Sequence, residues 1–248
     1  MLIDEIEVQG TSLSFKCLSL KIDDIKDTFD TIMKKGDIFD VEAETPGFHD
    51  CDCDSGLIRG FYSNLASFNV EFFKDGITTK EQFKRIESCE FIITPERIYL
   101  FGKQGPQKLI EMALSAATGE HVERVEFDNE SMNLLHGRMT VIKSIVVENP
   151  KDKAIRKARL TGHMEDYETY NIVEPHNHEI NSISGVVETP LGAMNLTVDK
   201  KGKVRLNVKR GLIINVANLS WILDLITSET GPAPITALAP GASENAPF

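Results

Sequence analysis

The chain has 248 residues, of which 41% are hydrophobic and 26% charged, ordinary values for a globular protein with an ample core. Its formal net charge is −11, yet residues 1–139 carry 15 Lys and Arg against 26 Asp and Glu, while residues 140–215 carry 12 against 9. The opening Met1-Leu2-Ile3-Asp4-Glu5 lacks the regions of a signal peptide, and the most apolar run, 211–226, is too short for a membrane span and contains Asn215, Asn218 and Asp224. Four cysteines make no disulfide framework, so the chain reads as a reduced, cytoplasmic protein with no membrane partner.

Leu13, Phe15 and Cys17 alternate with polar residues and predict a half-buried strand. Asp23 or Asp24 can cap a helix with Ile25, Phe29, Ile32 and Met33 on one face, stopped by Gly36. Residues 40–56 read as a loop. Phe68, Val70 and Phe72 alternate on a strand, and Thr79–Gln82 resembles a capping box opening a short helix. Phe91-Ile92-Ile93 and Ile98-Tyr99-Leu100-Phe101 flank a turn and predict a hairpin. Gly105-Pro106 then opens a helix with Leu109, Ile110, Met112, Ala113 and Ala116 inward, ending at Gly119.

Val122–Phe127 reads as a strand, and Asp128 caps a helix through Leu135. Strands follow at 140–147, 154–161, 179–188, 192–198 and 203–210, and a closing helix at 217–227 carries Leu219, Ile222, Leu223 and Ile226 as its apolar stripe. Strands and helices interleave without a βαβ period, so the expected class is α+β, with mixed or antiparallel sheets and packed helices. The expected organisation is an acidic lobe over 1–139, a strand-rich lobe over 140–229 and a Pro/Ala/Gly/Ser-rich disordered tail over 230–248.

Two clusters hold much of the positive charge. Asp199-Lys200-Lys201-Gly202 fits a hairpin loop, after which Val204, Leu206 and Val208 point one way and Lys203, Arg205, Asn207 and Lys209 the other. A line of flexible cations suits phosphate backbones, and it equally suits a solvated sheet face or a blunted edge. In the first cluster Lys157 and Arg159 share a face with Ile155, and Arg156 shares the other with Ala158 and Leu160. Neither face is purely apolar, so this strand lies at an edge or lines a groove. No aromatic residues interleave with either cluster, so single-strand stacking is not indicated.

Catalytic signatures are absent: there is no nucleophile elbow, phosphate-cradling loop, dinucleotide fingerprint or zinc-protease helix. His49-Asp50-Cys51-Asp52-Cys53-Asp54 is rich in potential metal ligands but lacks a second pair, and an exposed polar loop explains it as well. His176 and His178 would share a strand face, with His163 or Glu165 as a further ligand, and a turn entering a strand is the simpler reading. Gly102-Lys103-Gln104-Gly105 precedes a helix without phosphate-loop spacing and reads as a plain turn. No cofactor is expected.

The order of elements resembles the recombination-associated RdgC family. The likeness runs through Phe15-Lys16 and its following helix, the hairpin and helix of Phe91–Gly119, and the strand and helix of Val122–Leu135. It continues through Ile155–Arg159, the hairpin turning at Asp199–Gly202, and Leu212–Val216 leading to the last helix. This resemblance implies a non-enzymatic, sequence-independent binder of duplex DNA that restrains recombinase loading and forms a closed dimeric ring. Residues 54–90 are short where the family carries a longer charged helical insertion, a departure that bears on ring closure. The expected phosphate contacts are Arg156, Lys157, Arg159, Lys200, Lys201, Lys203, Arg205 and Lys209. A protein-interaction component and a metal-dependent hydrolase using His49, Cys51, Cys53, His176 or His178 are the alternatives.

Overall fold

A computed structural model describes residues 2–74, 76–148, 157–162 and 179–232. In chain order the elements are β1 (Glu5–Glu7), β2 (Ser12–Ser19), α1 (Ile25–Lys35), β3 (Gly47–Asp54), β4 (Leu57–Lys74), β5 (Ile77–Ile93), β6 (Ile98–Gly102), α2 (Gln104–Thr118) and β7 (Glu123–Arg124). They continue with α3 (Asn129–Arg138), β8 (Val141–Glu148), β9 (Lys157–Thr161), β10 (Glu179–Thr189), β11 (Gly192–Asp199), β12 (Lys203–Asn207), β13 (Ile213–Asn215) and α4 (Val216–Thr227). The fold is α+β. One large antiparallel sheet runs β3-β4-β5-β6-β2-β12-β11-β10-β8-β9, with β7 pairing the far end of β2, and β1 and β13 form a ladder of their own.

The sheet is covered by helices on opposite faces in its two halves, and the reason lies in its central strands. Ile98, Tyr99, Leu100 and Phe101 of β6 are consecutive and all buried, as are Phe15, Cys17 and Leu18 of β2. Successive strand residues point to opposite faces, so a continuous apolar run demands cover on both. On one face Ile98, Leu100, Phe91, Ile58 and Phe48 meet Ile32 of α1 and Ile110 and Leu114 of α2. On the other, Tyr99, Phe101, Phe15, Leu206 and Leu196 meet Met132 and Leu135 of α3 and Leu219, Ile222 and Ile226 of α4. Each such buried side chain contributes about 1.5–3 kcal/mol.

Helix ends are fastened by polar contacts. Asp24 accepts from the Asp27 N–H to open α1, Asp128 accepts from the Ser131 N–H to open α3, and Asn215 and Asn218 form a reciprocal capping pair on α4. Arg138 of α3 donates to the carbonyl oxygens of Leu225, Ser228 and Glu229, where the negative end of α4 lies. Arg97 in the β5–β6 turn donates to Asp224 of α4 at 3.1 Å. Among the described residues, no helix is long and apolar enough to cross a membrane. The tail expectation for 233–248 lies outside the described residues.

Several local expectations are corrected. The loop expected over 40–56 contains β3, because residues 47–49 and 52–54 pair with β4 across a bulge. The short helix expected at Thr79–Gln82 is strand: every residue of that stretch pairs with β4, and the capping-box pattern loses to this ladder. In α2 Ile110 is buried and Leu109 and Ala113 pack against the core as expected, with Leu114 and Ala117 also inward, while Met112 and Ala116 face outward. Met33 of α1 is also outward. Of Val122–Phe127, only Glu123–Arg124 is strand.

Strands β4 and β5 overrun the sheet. Beyond Asn64 and Glu87 neither has another strand neighbour among the described residues, and they continue as a two-stranded arm of about 33 Å, ten residues at roughly 3.3 Å each, with Lys84 ion-paired to Glu44 near its base. One arm face gathers Phe68, Phe72 and Phe83, with centroids of 6.0 Å for Phe68–Phe83 and 6.2 Å for Phe72–Phe83. Arg85 lies over Phe68 at 5.4 Å. Near the tip Phe73 and Ile77 are 78% and 64% exposed.

Two substitutions test this description. Gly202 has φ +80°, and a Cβ there would lie 1.9 Å from the Val125 carbonyl oxygen. Gly202→Ala is therefore expected to lower unfolding free energy by more than about 2 kcal/mol in urea. The hydrogen bonds that Asp128 accepts from Ser131 hold its carboxyl below the ordinary carboxylate value. Asp128→Ala should cost about 1 kcal/mol near neutral pH. A depressed folded pKa stabilises above the unfolded value, so the wild-type advantage should fade as pH falls through the acidic carboxylate range.

Candidate nucleic-acid interface

The half-sheet β2-β12-β11-β10-β8-β9 buries its apolar side chains under α3 and α4, and among the described residues no helix lies over its opposite face beyond the β2 margin, where α2 begins. Strand register defines that face. Ser14, Arg205, Thr197, Ser184, Ser144 and Thr161 align across six strands. Beside that row, Lys16 stands directly opposite Lys203, Asn207 opposite Asn195, and Arg159 opposite Val146. Short hydroxyl and amide side chains fill the space between the cations, and Ser184 Oγ lies 2.9 Å from Thr197 Oγ1.

The expected contacts divide into groups. Lys203 and Arg205 are exposed on this face, while Val204 and Leu206 beneath them are fully buried. Lys209 is exposed just past the end of β12. Lys157 and Arg159 project from β9, an edge strand, with Ala158 and Leu160 packed against the core. Lys200 is already engaged: its ammonium donates to Glu179 at 2.8 Å, which holds its pKa above the ordinary lysine value. Lys201 is exposed in the turn. Arg156 lies outside the described residues.

Sequence reading did not include Lys16 among the contacts. Its signal was present, since Ser12, Ser14 and Lys16 alternate with Leu13, Phe15 and Cys17, but the register against β12 emerges only in the folded sheet. Lys16, Lys203, Arg205 and Arg159 have no ion-pair partner among the described residues. From Arg205 on β12 to Arg159 on β9 the face crosses four strand spacings, roughly 19 Å at ~4.8 Å each. That length matches about five to six phosphates of one DNA strand at ~3.4 Å. Carboxylates on the face are few: Glu188 is exposed near the end of β10, Glu148 accepts from Asn181 and sits 3.8 Å from Lys157, and Asp199 accepts the Lys203 N–H.

The His/Asp/Cys run folds into β3 and is split between its faces. Cys51 and Cys53 pack towards the core under α1, and Asp50, Asp52 and Asp54 are exposed. Burial pushes the Cys51 thiol up to about 11 and raises that of Cys53, opposing the thiolate that a metal requires. Among the described residues no three His, Cys, Asp or Glu converge on a common point that could hold a metal. His176, His178, His163 and Glu165 lie outside them.

His49 does form a chain unforeseen in sequence. Its Nδ1 is 2.9 Å from Asp50 Oδ2 and its Nε2 is 2.8 Å from Ser63 Oγ, which is 2.7 Å from Ser88 Oγ. The order Asp–His–Ser matches that of a hydrolytic triad. Ser63, however, is fully buried and its hydroxyl is shared with Ser88, so no acyl carbon can approach it. With Phe61 stacked on the imidazole at 5.5 Å, the chain fastens β3, β4 and β5 together.

The sequence matches no model of a known protein family and no curated protein at a significant level.

Proposed function

We propose that this chain is a sequence-independent binder of duplex DNA, an accessory protein of the cytoplasm that limits access to the DNA, including access by a recombinase. The observation that supports this reading is the open sheet face. A protein of net charge −11 holds Lys16, Lys203, Arg205 and Arg159 on one polar sheet surface, with no helix over it beyond the β2 margin and no ion-pair partner for them among the described residues. Phosphates would take these cations as partners, the serine, threonine and asparagine side chains between them would donate to phosphate oxygens, and acidic surfaces elsewhere would orient docking. Contacts to phosphates and not to base edges would carry the binding, so affinity would come from counterion release.

With Lys157 and Lys209 at its margins the face offers about six contacts, so affinity should fall roughly a thousandfold between 50 and 200 mM salt. Lys203→Glu/Arg205→Glu should abolish binding to a labelled duplex, and Lys34→Glu/Lys35→Glu on α1 should not. An affinity indifferent to salt, or a double variant that binds as well as wild type, would refute the reading.

The aromatic arm favours a second reading, an assembly component whose partner is a second copy of the chain. Along β5 the arm face reads Arg85, Phe83, Glu81, so a two-fold axis through Phe83 would bring Arg85 of each copy onto Glu81 of the other. Sedimentation equilibrium should then show a dimer that Arg85→Glu dissociates and Arg85→Glu/Glu81→Arg restores. A wild type that stays monomeric at every accessible concentration would dismiss the arm contact. The metal-dependent hydrolase alternative draws no support from the described residues.

A further inference from the structure

Where α2 meets the open face, its first turn, β2 and β12 enclose a notch of about 60 Å³ lined by Ser14, Phe15, Lys16, Gly102, Gln104, Gln107 and Lys203. Three independent features converge on it. First, Lys16 and Lys203 are directly opposed across the β2–β12 ladder, an arrangement that destabilises a sheet unless an anion intervenes. Neither has an ion-pair partner among the described residues.

Second, α2 runs 15 residues, and its N-terminus lacks both a side-chain cap and an acidic residue in the first turn. The N–H groups of Gln104 and Gly105 have no acceptor among the described residues, and Pro106 has no N–H to offer. The nearest carboxylate, Glu87, faces Gly105 from the β5 side, is bonded to Arg85, and does not line the notch. Third, Gln107 is only 4% exposed, yet its Oε1 has no donor, while its Nε2 makes a long 3.4 Å bond to the Gly102 carbonyl. A buried, unsatisfied amide oxygen costs about 1–3 kcal/mol and calls for an explanation.

We propose that the notch binds a phosphate group that still bears a hydroxyl hydrogen: inorganic phosphate or a singly protonated phosphomonoester. Its charged oxygens lie between the Lys16 and Lys203 ammonium groups and accept from the Ser14 hydroxyl and the first-turn N–H groups of α2. Its P–O–H donates to Gln107 Oε1. A backbone phosphodiester has no hydroxyl to give, so this ligand differs from the phosphates of a duplex interior. The inference stands whether or not the wider face binds DNA, because α2 and Gln107 take no part in that reading.

The test is a titration of the full chain with inorganic phosphate near pH 6, about the second pKa of a phosphomonoester, followed by amide resonances. Gln104, Gly105 and Lys203 should shift together, with saturation in the millimolar range. Sulfate, which has the tetrahedral shape and carries more negative charge but has no hydroxyl at that pH, should bind about tenfold more weakly, as should phosphate to Lys203→Met (about 1.4 kcal/mol). Arg159→Ala, which removes a cation of the wider face only, should leave the phosphate titration unchanged.

A short 5′-phosphorylated oligonucleotide that displaces phosphate, where its 5′-hydroxyl counterpart does not, would identify the ligand as a nucleic-acid end. Phosphate binding that neither oligonucleotide disturbs would identify it as free phosphate or a nucleotide. Absence of shifts at Gln104 and Gly105, or equal affinity for sulfate, would overturn the assignment. Loss of duplex binding alone would leave it intact.

Discussion

Strand β6, and β2 at Cys17 and Leu18, are buried on both faces, and the rest of the architecture follows from that constraint. A strand with one wet face can be satisfied by a single layer of helices, but Ile98-Tyr99-Leu100-Phe101 needs two. Helices α1 and α2 supply one cover and α3 and α4 the other, overlapping only near the middle of the sheet. Outside the overlap each half-sheet has one face that no described helix covers. The bare face of the β12–β9 half is thus a by-product of how the core is closed, and its polarity is what a solvated sheet surface requires. What a solvated surface does not require is four cations without ion-pair partners among the described residues, or two lysines set against each other.

The same division explains how so acidic a chain can gather a group of cations on this surface. In each strand of that half, alternation sends one set of side chains into the core under α3 and α4 and leaves the other set to be chosen freely. Carboxylates are used mostly at strand ends and turns, as with Asp199 at the β11–β12 turn and Glu179 beside Lys200. The turn itself is pinned from below, since the Phe127 N–H donates to the Lys200 carbonyl and Gly202 sits against Val125.

Much of this was legible wherever the signal was local and periodic. The β11–β12 hairpin, with Val204 and Leu206 inward and Lys203 and Arg205 outward, follows from period-two alternation and one glycine, and α4 follows from its apolar stripe. Where long-range pairing decides, the reading went astray. Residues 79–82 carry a helix-start pattern, yet they lie opposite Phe72–Asn69 across a ladder closed by a turn at Gly76. The β3 segment looked like a loop because its core-facing side chains are cysteines flanked by aspartates, and Asp50 interrupts it at φ +47°. Lys16 escaped notice because opposition to Lys203 joins residues from the two ends of the chain. Gln107 gave no sign at all, since an unsatisfied amide exists only once its surroundings are packed.

Strands β4 and β5 run unbroken from the core to the end of the arm. All 17 residues of β5 pair with β4 in one uninterrupted register, from Ile93 opposite Ile58 to Ile77 opposite Lys74. The residues that anchor the arm, Phe91, Ile93 and Ile58, are themselves fully buried beneath α1 and α2. No bulge separates base from tip, so the ribbon behaves as a stiff lever, held in the sheet and braced near its base by the Lys84–Glu44 ion pair. A load applied at Phe73 or Ile77 would be borne at the packing of Phe91 on Phe48, and a change in that packing would swing the tip through a wide arc.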